Sequence, residues 1–277
     1  MFRRNKGLTF ERFFRPGERI MRLATKNVIM VQETDLVEHV VPLLLGGPRK
    51  IPVVKKGKLQ GLITATDLLD YCGAGDRHQD FRKRKKPLKA QVGRIMSTQI
   101  HTLNSTDTMK KAFQLFIKHG HGSYPILERG RVVGMVSDWD FLKRIKGDVG
   151  VKVRDLMIKR PARAKEHFPI LDVAKIMVKG GYRRLPITRW GILTGIVLPY
   201  DILSFLKAEG GLHTLSKELR PVKVAMRKDV ITINPKDDIG LAVTKMLQSR
   251  VGGLPVVEDQ ELVGILTESD IVQGLLH

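Results

Sequence analysis

Cysteine is almost missing from this 277-residue chain, with Cys72 the single copy. One thiol excludes an intramolecular disulfide and any cysteine-cluster metal site, and it fits a reducing cytoplasm. No apolar run approaches the ~20 residues needed to cross a bilayer. The opening MFRRNKGLTFERFF carries charge but no apolar stretch of signal-peptide length, so a soluble cytoplasmic protein is expected. Catalytic signatures are missing too. The eight histidines form no HExxH or paired metal spacing, Cys72 has no base nearby in sequence, and no GxxxxGK[ST] occurs. The expectation is a protein without enzyme activity and without a required metal.

Acidic residues are the scarce sign of charge: 28 Asp and Glu face 49 Lys and Arg, a formal charge of +21. The excess is uneven. Residues 1–26 hold Arg3, Arg4, Lys6, Arg12, Arg15, Arg19, Arg22 and Lys26 against Glu11 and Glu18. Residues 76–94 hold another eight bases, most of them in FRKRKK at 81–86, against Asp76 and Asp80. Such runs form solvated loops, or attract nucleic acid without reading its sequence. Weak nucleic-acid binding through residues 1–22 and 76–90 is one expectation. Phe10, Phe13 and Phe14 follow a helical spacing, so the arm is expected to pack on the protein body and not in a membrane.

Hydrophobic residues reach 42%, enough for a packed core. They are organised by repetition. Proline-centred strands lie at Pro52, Pro125, Pro186 and Pro255, each followed 15 residues later by an aspartate: Asp67, Asp140, Asp201 and Asp270. A glycine stands six before each aspartate, at Gly61, Gly134, Gly195 and Gly264. Upstream, NVIMV, QIHTL, RPARA and DVITI occupy one register, followed by capping residues and a helical pattern such as Leu241, Met246 and Leu247. A polar turn joins the proline strand to the glycine strand, and a short helix is expected to start at the aspartate. Each unit reads β-α-β-β-α, spans about 55 residues and is too small to be stable alone.

This pattern resembles the cystathionine-β-synthase-type (CBS) repeat over roughly residues 23–277. The resemblance implies an α/β (α+β) fold in which four CBS repeats form two tandem, Bateman-type modules. The arrangement is similar to the regulatory γ subunit of AMP-activated protein kinase and its stand-alone archaeal counterparts. Expected boundaries are a basic arm at 1–22, repeats at 23–73, 92–147, 148–208 and 222–277, and linkers at 74–91 and 209–221. The family binds AMP, ADP, ATP, S-adenosylmethionine-type ligands or nothing. An adenine-nucleotide-binding regulatory module is therefore expected, with a protein partner or a second copy as its listener. The alternative is a nucleic-acid-associated regulator that uses the repeats as a scaffold.

The candidate binding residues centre on the motif G-h-h-[S/T]-x-x-D. Thr64 with Asp67, Ser137 with Asp140, and Thr267 with Asp270 place a hydroxyl and a carboxylate at one strand-to-helix turn. A carboxylate there can accept hydrogen bonds from vicinal ribose hydroxyls, and the helix N-terminus favours an anion. The same pair also matches a helix capping box, and both roles can coexist. In the third repeat Leu198 replaces the hydroxyl before Asp201, which makes that cleft the weakest expected. Just before the proline, repeats one and three carry Arg49-Lys50 and Arg183-Arg184, candidate phosphate clamps. Repeats two and four carry Gly122-Ser123 and Gly252-Gly253, small residues that admit a ligand close to the backbone. His119, His121 and Arg250 are secondary candidates. Backbone near Ile29, His101 and Ile231 is expected beside the base.

Overall fold

A computed structural model describes residues 8–76, 89–209, 215 and 218–276. Arg3, Arg4, Lys6, Arg77 and the FRKRKK run lie outside the described residues. After a short helix α1 (Phe10–Phe13), repeat 1 runs β1 (Val31–Gln32), α2 (Val37–Gly46), β2 (Ile51–Lys55), β3 (Lys58–Ile63) and α3 (Ala65–Leu69). Repeat 2 runs β4 (Leu103–Asn104), α4 (Met109–His119), β5 (Ser123–Glu128), β6 (Arg131–Ser137) and α5 (Asp138–Leu142). After α6 (Val153–Leu156) and β7 (Ile158–Lys159), repeat 3 runs β8 (Ala164–Lys165), α7 (Ile170–Gly180), β9 (Leu185–Arg189), β10 (Ile192–Val197) and α8 (Pro199–Ala208). Repeat 4 runs α9 (Ile239–Ser249), β11 (Gly253–Glu258), β12 (Glu261–Thr267) and α10 (Glu268–Gly274). Its first strand is reduced to a parallel bridge between Ile233 and Val256.

The chain divides into two compact units. Unit 1 gathers repeats 2 and 4 within Met1–Val28, His101–Pro161 and Ile231–His277, and unit 2 gathers repeats 1 and 3 within Ile29–Ile100 and Ala162–Val230. Each unit has its own apolar core. The long helices feed these cores through one stripe at i, i+3, i+4 and i+7, such as Ile170, Val173, Ala174 and Met177 in α7. In α9 the stripe is Ile239, Ala242, Val243 and Met246, and Leu241 points outward, 44% exposed. The expected pattern based on Leu241 was therefore one face off. The N-terminal arm does pack on the body: Phe10 stacks on Phe113 at 4.6 Å, and its N–H donates to Leu275 O at 3.0 Å.

All four hairpins share one register. Pro52, Pro125, Pro186 and Pro255 stand opposite Leu62, Met135, Ile196 and Ile265, each the residue after the repeated glycine. Leu62, Met135 and Ile196 do not bond to their prolines. Their N–H groups donate instead to Ser97 O, Thr25 O and Arg227 O. The proline thus occupies a pair that needs no donor from it.

Those acceptors belong to leader segments, one at the start of each repeat. Thr25, Ser97, Ile158 and Arg227 occupy the same leader position, and each bridges a hairpin of another repeat in its own unit. Residues 92–97, which open repeat 2, lie on repeat 1, and residues that open repeat 1 lie on repeat 2. Repeats 3 and 4 exchange leaders in the same way. The repeated glycine follows from this overlay. A Cβ on Gly61, Gly195 or Gly264 would meet Met96, Met226 or Met157 Sδ at 2.6, 2.6 and 2.7 Å. No side chain fits there. Among the described residues no helix is long and apolar enough to cross a membrane.

Candidate functional site

Each terminal helix begins two residues before its aspartate and not at it. The N-caps are Thr64, Ser137, Leu198 and Thr267, which puts Asp67, Asp140, Asp201 and Asp270 at the third helical position. The cap N–H donates to the aspartate Oδ2 at 2.9, 2.9, 2.8 and 2.7 Å in chain order. Where a hydroxyl is present it donates to the same oxygen, at 2.6 Å from Thr64, 2.7 Å from Ser137 and 2.7 Å from Thr267. Asp67 N–H returns a bond to Thr64 Oγ1 at 3.1 Å, which completes a capping box. The capping role is thus present in this structure.

Oδ1 is where the repeats differ. Asp67 Oδ1 accepts from Ser97 Oγ at 3.0 Å. Asp140 Oδ1 accepts from Lys143 Nζ at 2.8 Å, and Asp201 Oδ1 from Arg227 Nε at 2.7 Å. Ser97 and Arg227 occupy the same leader position, so a neutral hydroxyl in one repeat is a guanidinium in another. Burial pushes the Asp201 carboxyl above its ordinary range, against the bonds from Arg227 and Leu198 N–H. Asp67 and Asp140 are buried, whereas Asp201 and Asp270 are half-buried.

The residues before each proline reach the same hairpin end. Ser123 pairs with Ser137 and Gly253 with Thr267, so the small residues of unit 1 stand directly across from the motif. In unit 2 the pairs Ile51 with Ile63 and Leu185 with Val197 carry the preceding Lys50 and Arg184 to the corresponding place. The basic pairs also converge within unit 2. Burial raises the Tyr200 phenol, while the positive charges of Arg49, Arg183 and Arg184 hold it down, so both basic pairs of unit 2 contribute charge that reaches the residue before Asp201. Basic pairs sit with basic pairs in unit 2, and small pairs with small pairs in unit 1.

The first-strand candidates are surface residues, not core: Ile29 is 47% exposed, Ile231 37%, and His101 is also exposed. In unit 1 the His101 ring stacks on His119 at 3.7 Å, with His121 at 5.7 Å. Partial desolvation and the neighbouring His101 and Lys118 hold His119 below the ordinary histidine range. Arg250 caps α9 in a left-handed conformation, φ 53°. Cys72 is buried, and its thiol is pushed up to about 12 by that burial, so it is no nucleophile. Among the described residues no group of three His, Cys, Asp or Glu has metal-holding geometry.

Ser97, Arg227 and Tyr200 were not singled out by the sequence reading. For Ser97 and Arg227 the signal was the leader itself: Met96, Met157 and Met226 each precede the first-strand residue Leu103, Ala164 or Ile233 by seven.

The profile described as "CBS domain" matches residues 20–74, 92–147, 153–208 and 219–277. An uncharacterized protein of Methanocaldococcus jannaschii, MJ1225, is 26% identical over 274 residues, covering 92% of this chain and 98% of that one. Its crystal structure, described as a candidate archaeal homologue of g-AMPK, superposes with a TM-score of 0.84 at 24% identity over 92% of this chain and 99% of that one. A conserved protein from Pyrococcus horikoshii superposes with a TM-score of 0.61 at 21% identity, over 93% and 99%. A 33.4 kDa protein of Thermofilum pendens, encoded in a ribosomal RNA operon, is 26% identical over 82% of this chain and 80% of its own.

Proposed function

Because the chain belongs to the CBS domain family, with four repeats matched, we propose that it is a non-catalytic regulatory module that binds adenine nucleotides (AMP, ADP or ATP). The observation that carries this reading is the carboxylate held at the same strand-to-helix turn in all four repeats, joined in unit 2 by the charges of Arg49, Arg183 and Arg184 acting on Tyr200. A carboxylate at each turn suits a sugar, and cations from both basic pairs suit its phosphate. S-adenosylmethionine has no phosphate and brings a sulfonium charge, so paired basic residues suit it less than a nucleotide.

Roles follow from position. Asp67, Asp140 and Asp270 accept from ribose hydroxyls, with Thr64, Ser137 and Thr267 as adjoining hydroxyls. Arg49, Lys50, Arg183 and Arg184 hold phosphate, and Ser123 and Gly253 give close backbone approach. Ile29, His101 and Ile231, all exposed, flank the base. Regulation comes from unequal affinity of AMP and ATP for two arrangements of the protein, read by a protein partner or a second copy. The site built on Asp201 is the weakest, since it lacks a hydroxyl and its carboxylate already holds Arg227.

Calorimetric titration with AMP, ADP and ATP, together with mass spectrometry of small molecules released on denaturation, tests the reading. Micromolar binding at one or more sites is expected. No heat and no thermal shift with any of the three would remove it.

A further inference from the structure

Trp190 is 94% exposed. It occupies the tip of the β9–β10 hairpin with Gly191, both at positive φ (55° and 88°), the two-residue turn that favours Asn-Gly. The tips of the other three hairpins carry Lys56, Arg129 and Asp259 at φ 49° each. Those residues are polar and belong in water. A tryptophan gains nothing there from packing, and its bulk opposes the left-handed backbone. The repeat therefore supplies its own reference, and Trp190 departs from it at a cost the fold does not require.

The hairpin that carries the indole is bordered by cationic residues. Arg189 precedes it, 62% exposed, with Nε 3.6 Å from Glu166 Oε1. Lys165 lies in β8, where it pairs with Thr188. Lys223 N–H donates to Glu166 O at 3.1 Å. Lys165 and Lys223 are exposed, so three cations are gathered about half-buried Glu166, on strands and turns next to the β9–β10 hairpin. Apolar company is limited to Ile192, 44% exposed and paired with Arg189, and to Val224 beside Lys223. That is too little contiguous apolar surface for a protein or bilayer contact to be the main partner. An aromatic face set among Arg and Lys matches the chemistry of a single-stranded nucleic acid, whose bases stack and whose phosphates take the cations.

We propose that the Trp190 hairpin tip, with Arg189, Lys165 and Lys223, is a stacking site for single-stranded nucleic acid. It uses none of the residues of the basic segments 1–22 and 76–90 and none of the adenine-nucleotide residues. The net charge of +21 adds long-range attraction, and the indole makes the contact favour unpaired bases.

The test uses the full chain carrying Trp139→Phe, which leaves Trp190 the single tryptophan, with an unchanged melting curve as its control. A dT 12-mer is titrated at low and at physiological salt, with saturating AMP present. Thymine is not adenine, so failure of the nucleotide reading leaves this result interpretable. Expected are quenching of Trp190 emission, weaker binding of a duplex of equal length, and loss of roughly 5- to 150-fold in affinity for Trp190→Ala. Trp190→Phe should retain most of the affinity. Arg189→Ala, Lys165→Ala and Lys223→Ala should each lower the slope of log affinity against log salt by about 0.7. Equal affinity of Trp190→Ala and its parent would overturn the proposal and assign binding to other basic residues. Unquenched emission, or a spectral shift with phosphatidylserine vesicles and none with the oligonucleotide, would overturn it as well.

Discussion

Arg227 Nε stands 2.7 Å from Asp201 Oδ1, at the leader position where Ser97 Oγ stands 3.0 Å from Asp67 Oδ1. One substitution in a repeated frame thus turns a hydroxyl neighbour into an ion pair. The guanidinium occupies Asp201 Oδ1 as Lys143 occupies Asp140 Oδ1, and at Asp201 alone Leu198 also removes the adjoining hydroxyl. The double variant Leu198→Thr/Arg227→Ser should recreate the Asp67 arrangement at Asp201. Calorimetry is expected to show one further adenine-nucleotide site, or at least tenfold tighter binding at an existing one. Unchanged stoichiometry and affinity would leave Asp201 a helix cap alone.

Asp270 separates the capping role from binding. Asp270→Ala removes the acceptor for Thr267 N–H and Oγ1, and this should cost about 1 kcal/mol of stability without ligand. A ribose contact adds a second loss, roughly 1.5–3 kcal/mol, or about 10- to 150-fold in affinity at that site. Urea unfolding of the ligand-free protein reads the first quantity and site-resolved titration the second. A stability loss with intact affinity would confine Asp270 to capping.

The fold was legible because the fifteen-residue interval from proline to aspartate fixes hairpin register, and four registered copies reinforce one another. The motif carboxylates were legible for the same reason. What escaped the reading arrives from elsewhere in the chain. Ser97 reaches Asp67 across 30 residues and Arg227 reaches Asp201 across 26, through leaders that pack on another repeat. Local periodicity carries no sign of that exchange. The convergence of Arg49 with Arg183 and Arg184 likewise needs repeats 1 and 3 in one unit, which spacing alone does not state. Leu241 misled because apolarity was read without its angular position, and the helix start was misplaced because the cap lies three residues before the aspartate.

The glycine is a packing requirement in repeats 1, 3 and 4, and Gly264 tests it. A methyl group there would stand 2.7 Å from Met157 Sδ and 3.1 Å from Ile158 O. Gly264→Ala should destabilise the protein by about 1–3 kcal/mol, as overpacking does. Met157→Ala removes the nearer obstacle, so the double variant should lose less than the sum of the singles. Denaturant unfolding in a double-mutant cycle measures the coupling. Strict additivity would show that the leader does not press on Gly264.

Acid stability depends on a carboxylate outside the candidate site. Glu218 Oε2 lies 2.8 Å from Arg220 Nη2, and its Oε1 accepts from Arg220 Nε at 2.8 Å and Arg220 N–H at 3.0 Å. The Arg220 side chain, first among the causes, holds the Glu218 carboxyl below its ordinary value of 4.5. A depressed folded-state value means that the unfolded chain binds this proton more readily. The pair's contribution is then fully present above pH 4.5 and is lost as the pH falls below it. Because 43% of the Arg220 side chain is exposed, solvent screens the pair and the effect is modest. Glu218→Gln should unfold more readily than the parent at pH 7 and converge with it toward pH 3. Thermal unfolding of both proteins across that range reads the difference. A gap that stays constant down to pH 3 would show that packing or neutral hydrogen bonding, and not charge, carries the contribution of Glu218.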